Sequence, residues 1–500
     1  MIMRKPLPIA VVIALFGAIC CGSGKNESLM DAVKAGNLAG VQKTLQLHSD
    51  PNDAEADGTT TLHWAVQADR LDLVKALLAA GAGANAKNQF GLTPLGLALT
   101  KGNAAIVEQL LKSGADPKVH VPEMGPALFA AAHVGNPEVI QALLKAGAKV
   151  NETEPATGQT ALMWAAAEGH EAAVKALLDG GADFNVRSSK SDTALFFAVR
   201  KGDAGVVDTL LAAGADVNER TVSETTNARN GAKETVPGNT MLVVAILNAH
   251  FGLADHLLEK GADPNAAGAQ WTPLHALSRV RDYEEHQYPP PPIKPGEMDS
   301  LEFGKRLLAH GADPNISAPT TTAKRGPGDQ NYKDLIGATP FFLAAKSGDI
   351  PYMRMLLAAG ADPAKTANDH TTPLMVAAGI GCVPGQWIEP ERDILAAVKV
   401  LVEELKANVN ATNDQKETAV NGAMCRGADA VLQYLADKGA RFDIKDVEGR
   451  TPLDKAINGL YLAVSINSKS PLNIWRPPDH TALLVRKLTE AGSAQARVNP

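Results

Sequence analysis

The sequence predicts an all-α repeat solenoid, and three observations carry that prediction. A phrase recurs along the chain: an apolar run ending in Leu-Leu, then Gly-Ala-Asp or a close variant, a polar turn, and Thr-Pro-Leu or a degraded form of it. Its glycine slot falls at Gly81, Gly114, Gly147, Gly181, Gly214, Gly261, Gly311, Gly360, Lys406 and Gly439, at spacings of 33, 33, 34, 33, 47, 50, 49, 46 and 33. A period near 33 that returns so often marks stacked repeats. Hydrophobic residues reach 45% while aromatics stay at 4%, which suits thin layers of Ala and Leu rather than one thick core. At 500 residues the chain exceeds one compact domain. The repeats instead argue for one elongated body with a long surface, and such surfaces usually bind.

The elements follow in order. Residues 1–25 read as an export signal. Arg4 and Lys5 precede an apolar run from Leu7 to Ile19, and Cys20-Cys21 and small residues follow. Cys20 or Cys21 sits where a bacterial lipoprotein would carry its lipid, although neither Gly17-Ala18-Ile19 nor Ala18-Ile19-Cys20 matches the usual box well. An uncleaved membrane anchor is the plainer alternative. No second spanning segment is predicted, because every later apolar run is amphipathic or broken by Gly or Asp. Residues 28–48 read as a first helix pair whose exposed side is polar through Glu27, Asp31, Lys34, Asn37, Gln42 and Lys43.

Residues 91–118 show one unit. Thr93 caps a helix that Pro94 opens. Leu95, Ala98 and Leu99 form its apolar side, and Gly102-Asn103 break the run. Ile106, Val107, Leu110 and Leu111 follow at three- and four-residue steps. Gly114 supplies the left-handed end, and Asp116-Pro117 starts the next turn. Residues 220–236 and 317–336 are insertions at the turn between units. Residues 280–298 and 381–391 are insertions between paired helices. The last clear start is Thr451. Residues 461–500 read as a cap and tail, with a final helix over 480–491.

This pattern resembles the ankyrin repeat family. The best match runs from Gly58 to Gly91 through Thr61, Leu62, His63, Ala65, Val74, Leu77, Leu78, Gly81 and Ala82. Thr160-Ala161-Leu162, Thr193-Ala194-Leu195, Thr272-Pro273-Leu274-His275, Thr339-Pro340-Phe341, Thr372-Pro373-Leu374 and Thr451-Pro452-Leu453 repeat it. The likeness covers residues 26–460, as about twelve tandem helix-turn-helix units with β-turn fingers. It implies a protein-binding scaffold, since members mostly bind proteins and rarely catalyse. It also implies that His63 and His275 tie their units together by hydrogen bonds rather than act as catalysts.

In that family fingers and inner helices form a concave face. The variable slot two residues past the consensus Leu points toward it: Trp64, Leu97, Ala130, Trp164, Phe197, Val244, Ala276, Leu343, Val376, Gly422 and Lys455. Trp64, Trp164 and Phe197 are large for a solvated slot, and aromatics anchor interfaces; the plain alternative is packing against neighbours. Tyr283 and Tyr288, beside the run Pro289 to Pro292, and Trp387 lie in the insertions and are further candidate contacts. Long loops in a stack commonly carry function.

Once a signal is removed, Cys382 and Cys425 are the certain cysteines. They lie toward the same end of equivalent inner helices, so they form a candidate disulfide in an oxidising compartment; two small buried apolar residues are the alternative. No metal, haem or other cofactor motif is present. Net charge is −7 with pI near 6.0, and positive residues are scattered, which argues against nucleic acid. The expectation is a secreted or periplasmic monomer that binds an unidentified protein. An enzyme or small-ligand receptor with a pocket under the inserted loops is the second reading, and a structural spacer the third.

Overall fold

The computed structural model describes residues 27–226, 233–268, 271–281, 298–318, 336–381, 391–458, 460–461, 474–475 and 479–498. Two compact units divide the chain, residues 1–216 and 217–500. In the first, α1 (Leu29–Lys34) pairs with α2 (Leu38–Gln46), α3 (Thr61–Gln67) with α4 (Leu71–Ala79) and α5 (Pro94–Lys101) with α6 (Ala104–Lys112). The short hairpin β1 (His120–Val121) and β2 (Gly125–Pro126) follows. Then come α7 (Ala127–Val134) with α8 (Pro137–Lys145), α9 (Ala161–Glu168) with α10 (Glu171–Asp179), and α11 (Ala194–Lys201) with α12 (Ala204–Ala212).

The second unit opens with the hairpin β3 (Arg220–Thr226) and β4 (Lys233–Thr240). Its pairs are α13 (Met241–Leu247) with α14 (Phe251–Glu259), α15 (Pro273–Arg281) with α16 (Ser300–Ala309), and α17 (Pro340–Lys346) with α18 (Ile350–Ala358). They continue as α19 (Pro373–Ala378) with α20 (Glu391–Lys399), α21 (Ala419–Arg426) with α22 (Asp429–Asp437), and α23 (Pro452–Asn458) with the closing α24 (Asp479–Val498). The bridge β5 (Leu460–Tyr461) to β6 (Ile474–Trp475) lies between those last two.

Most of these helices have six to ten residues, below the roughly 12–15 that hold together alone in water. Stacking supplies the rest. Inner helices pack on inner helices, as α9 does on α7 and α11, and outer on outer, as α6 does on α8. Residues 91–114 fold as their spacing predicts. Thr93 Oγ1 accepts from the Gly96 N–H at 3.0 Å, and Pro94 opens α5. Gly102 turns left-handed at φ 71°, and Asn103 caps α6. Leu95, Leu99, Ile106, Val107 and Leu110 are buried; each large apolar side chain withdrawn from water contributes about 1.5–3 kcal/mol. In α1 and α2 the expected polar face is exposed.

A second kind of bond joins units, and the repeating phrase did not announce it. Four residues beyond the glycine slot an asparagine reaches the next unit. Asn85 Oδ1 accepts from the Asp116 N–H at 2.8 Å while its Nδ2 donates to the Gly114 carbonyl at 2.8 Å. Asn151 does the same to Asp183 and Gly181. In the second unit Asn218, Asn265, Asn315 and Asn410 repeat it.

Three departures from the sequence expectation have local causes. Residues 220–226 and 233–236, expected only as part of an insertion, lie in strands β3 and β4; the Thr- and Val-containing composition favours a pleated strand. The final helix runs from Asp479 to Val498 rather than over 480–491. Val400–Glu404 forms a π-helical turn. It holds one extra residue, so the Ala407 N–H reaches back to the Leu401 carbonyl at 2.9 Å where Ala361 reaches Leu356.

Lys406 closes that turn in the left-handed region at φ 57°, the slot that glycine fills elsewhere. Its Nζ donates to the Glu403 carbonyl at 2.6 Å. A side chain held there costs about 1 kcal/mol or more, and one exposed hydrogen bond offsets only part of it. Lys406→Gly is therefore expected to raise stability by about 0.5–1 kcal/mol. Urea unfolding of both proteins checks this, and a less stable glycine variant would show that the lysine cap dominates.

His63 and His275 are structural, as the resemblance implied. His275 Nδ1 lies 2.6 Å from Thr272 Oγ1 and Nε2 lies 2.9 Å from the Ala338 carbonyl. His63 bridges Thr60 and the Leu92 carbonyl in the same way. Burial pushes the His275 imidazole down to about 4, so the unfolded chain takes up a proton near pH 6.5 that the folded chain refuses. Stability from this residue is complete above about pH 6.5 and falls as pH drops toward 4, by up to roughly 3 kcal/mol. Urea titrations between pH 7 and 4.5 should show that slope, reduced in His275→Gln. Equal slopes would place the titration elsewhere.

Candidate binding face

The slot two residues past the consensus Leu is not uniformly open. Ala130, Ala276, Val244, Val376, Gly422 and Lys455 are buried; Trp64, Leu97, Trp164 and Leu343 are half-buried. In the N-terminal unit this leaves Trp64, Leu97 and Trp164 as partly open apolar side chains on inner helices α3, α5 and α9. Helix periodicity places each there, because the residues on either side of it face the stack.

Trp64 is held by charge. Its Nε1 donates to Glu55 Oε2 at 3.1 Å. Lys34 Nζ lies 4.7 Å from its ring centroid and pairs with Glu55. The cation over the indole and the hydrogen bond fix the ring in one pose.

Trp164 is arranged differently. Its ring meets His133 edge-on, with centroids 5.8 Å apart and planes at 83°. The small Ala130 fills the equivalent slot one unit earlier, on the helix that carries His133. Trp164 Nε1 and His133 Nδ1 are both buried without a hydrogen-bond partner in the protein; Glu168 Oε1 stands 3.5 Å from that nitrogen. A donor left unsatisfied in this way costs about 1–3 kcal/mol.

Phe197 corrects the expectation of an open anchor. It is 3% exposed, so the packing alternative describes it. The Arg200 guanidinium lies 5.2 Å from its ring and Phe196 packs edge-on at 5.6 Å. The residue three further on decides the difference: Arg200 lies over Phe197, whereas Ala167 leaves Trp164 uncovered. Sequence reasoning missed Phe90, 66% exposed in the turn before Gly91; an aromatic at a turn tip was the available signal.

Tyr283, Tyr288 and Trp387 lie outside the described residues, as do Cys20, Cys21 and Cys382. Cys425 is half-buried and disulfide-bonded. Among the described residues no group of three or more His, Cys, Asp or Glu side chains is placed to hold a metal ion, and no described helix is long and apolar enough to cross a membrane.

The sequence matches the family model described as ankyrin repeats (3 copies) over residues 29–120 and 128–221. Single ankyrin repeat models match 237–266 and 336–368. The chain belongs to the ankyrin repeat family. Ankyrin repeats generally mediate protein–protein interaction, and ankyrin domains are non-catalytic scaffolds. Alpha-latrocrustotoxin-Lt1a from Latrodectus tredecimguttatus is 32% identical over 123 residues, which is 25% of this chain and only 8% of that protein. The human ASB11 ankyrin repeat domain is 26% identical, covers 43% of this chain and 90% of its own, and has a TM-score of 0.36. The ankyrin repeat protein EF0377 is also 26% identical, covers 38% and 98%, and has a TM-score of 0.35. The single-repeat matches leave the inserted stretches 280–298 and 381–391 uncovered, in line with ankyrin periods that lengthen there.

Proposed function

We propose that this protein is an exported ankyrin scaffold, acting as a monomer, that recognises a partner protein through the inner-helix face bearing Trp64, Leu97 and Trp164. The observation that carries this reading is the set of large apolar side chains, Trp64, Leu97 and Trp164, left partly open on the inner helices α3, α5 and α9. A partner that covers these side chains removes apolar surface from water, which favours binding. Exposed Phe90 on a neighbouring turn extends the apolar contact. The leader residues Arg4, Lys5 and the run Leu7 to Ile19 support export, with Cys20 or Cys21 as the residue that would take a lipid. Tyr283, Tyr288 and Trp387 in the insertions are assigned as further contacts.

The test is one protein with Trp64→Ala and Trp164→Ala, and a second with Trp164→Phe alone. The double variant is expected to lose clearly less than the roughly 3 kcal/mol that removing fully buried rings entails, and to lose capture in a crosslinked pull-down from the cell envelope. Trp164→Phe keeps the ring and removes the unsatisfied donor. Its stability should hold or rise slightly, and capture should largely persist, because an aromatic surface is kept on the open side. Capture that survives in a stably folded double variant would rule this face out and leave the inserted segments as the better contact.

A further inference from the structure

Outer helices α16 and α18 leave a groove of about 510 Å³ between them. Leu301, Lys305 and Leu308 line one side at steps of four and three residues, and so share one face of α16. Pro351, Arg354, Met355, Ala358 and Ala359 of α18 line the other side. Elsewhere in the C-terminal unit the positions of Pro351, Met355, Ala358 and Ala359 carry charge or polarity. There α14 has His256, Glu259 and Lys260, α16 has Glu302, Arg306 and His310, and α22 has Asp437 and Lys438. The floor also has a local cause. Gly304 stands where α4, α6 and α8 carry Val74, Val107 and Ile140. A Cβ on Gly304 would come 2.7 Å from Met355 Cε, so Met355 occupies the space that a side chain there would need.

The rim is positive. None of the eight lining residues is acidic. Arg354 is matched from outside the groove, donating a fork to Glu404 of the π-helical turn at 3.1 and 2.8 Å. Lys305 is exposed and has no ion pair among the described residues. The other charges of its helix are engaged elsewhere: Arg306 meets Asp255 of α14 at 2.8 Å, and Glu302 lies 3.9 Å from Arg306. We propose that this groove docks a short amphipathic helix of a partner protein, apolar on the face that enters and carrying a carboxylate where it passes Lys305. Leu301 to Leu308 spans about 10 Å, or two helical turns, which suits apolar side chains at every third and fourth position of the incoming helix. Pro351, Ala358 and Ala359 are exposed, so a small ligand would stay largely open to water, whereas a helix laid along the groove covers them. Met355, unbranched and polarisable, adapts to the side chains that enter. The site lies on outer helices and is separate from the inner-helix face of Trp64, Leu97 and Trp164, so one chain can join two partners.

The experiment titrates three labelled peptides of about 16 residues, long enough to hold a helix, into the full chain at low ionic strength. The first is an Ala-rich helix with Leu along one face and Glu beside it. The second has Lys in place of Glu. The third has the residues of the first in an order that forms no apolar face. The first is expected to bind about tenfold or more tightly than either of the others. Lys305→Glu should weaken the first peptide by about fivefold or more and strengthen the second. Met355→Gln installs the residue type that α6 carries there as Gln109. It should weaken the first peptide by about fivefold or more while the melting midpoint stays within about 2 °C. No binding of the first peptide, equal binding of the first and second, or binding that neither variant changes overturns the proposal. A concentration-dependent dimer in sedimentation that Lys305→Glu disperses would assign the groove to a second copy of the chain, and also overturns it. The variant with Trp64→Ala and Trp164→Ala should bind the first peptide as the unaltered protein does, so the two proposals fail separately.

Discussion

Replacing Lys455 with Met is expected to destabilise the C-terminal unit by about 3–5 kcal/mol, the range for removing one partner of a buried ion pair. Lys455 is 2% exposed. Its Nζ lies 2.8 Å from Glu417 Oε1 and 3.0 Å from Asp446 Oδ2. Arg450 Nη2 approaches Asp446 Oδ2 at 3.1 Å, and the Asp446 side chain is 3% exposed. Burial pushes this carboxyl up, but the Arg450 N–H and the Lys455 ammonium outweigh it and hold Asp446 at about 2. Its contribution is therefore present above about pH 4 and lost as pH falls toward 2. Methionine retains most of the bulk and strands the carboxylate beside one guanidinium. Urea unfolding at pH 7 measures the loss, and acid titration should show the variant failing at higher pH than the unaltered protein. A change below about 1 kcal/mol would mean that water reaches Asp446 and the cluster is not sealed.

Arg281→Ala should be comparably damaging, again about 3–5 kcal/mol. Arg281 ends α15 and makes a forked contact with Asp349, Nε to Oδ2 at 2.6 Å and Nη2 to Oδ1 at 2.9 Å. Nη1 donates to Ser300 Oγ at 2.5 Å, and the guanidinium lies 5.5 Å from the Tyr352 ring centroid. One side chain thus ties α15 to the starts of α16 and α18, across the point where the 280–298 insertion leaves the helix pair. Asp349 also caps α18 by accepting from the Tyr352 N–H at 3.2 Å. Alanine would leave its carboxylate part-buried without a counter-charge. Arg281→Lys should recover only part of the loss, because an ammonium cannot supply the fork. Full recovery by lysine would show that charge alone matters here.

The helix pairs were legible because their signals are local. Thr caps, Pro at the first helical position and Gly at the left-handed end each act within four residues, and their spacing survives in the sequence. The roles of His63 and His275 were legible through resemblance. The state of the variable slot was not. Trp164 and Phe197 occupy equivalent positions, yet one is half-open and the other 3% exposed, because the residue one turn on is Ala167 in one case and Arg200 in the other. Lys455 holds the same slot and is drawn into an ion cluster by Glu417 and Asp446, which belong to two different turns. The π-helical turn at Val400–Glu404 changes the spacing by one residue, within a period already lengthened by an insertion, so nothing in the count exposed it. Long-range side-chain partners of this kind are decided by the stack and have no periodic signature.

The asparagine bridges between turns bear on how the array comes apart. Each links only adjacent units, so resistance to opening is distributed junction by junction. Two junctions cannot have the bridge, because the slot holds Lys118 in one and Ala364 in the other, and neither side chain can both donate and accept. Amide protons flanking those junctions should exchange with solvent sooner than those beside Asn85 or Asn265, and limited proteolysis should nick there first. A chain pulled from its ends would shed blocks of several repeats at a time rather than single ones, yielding first at the seams of Lys118 and Ala364.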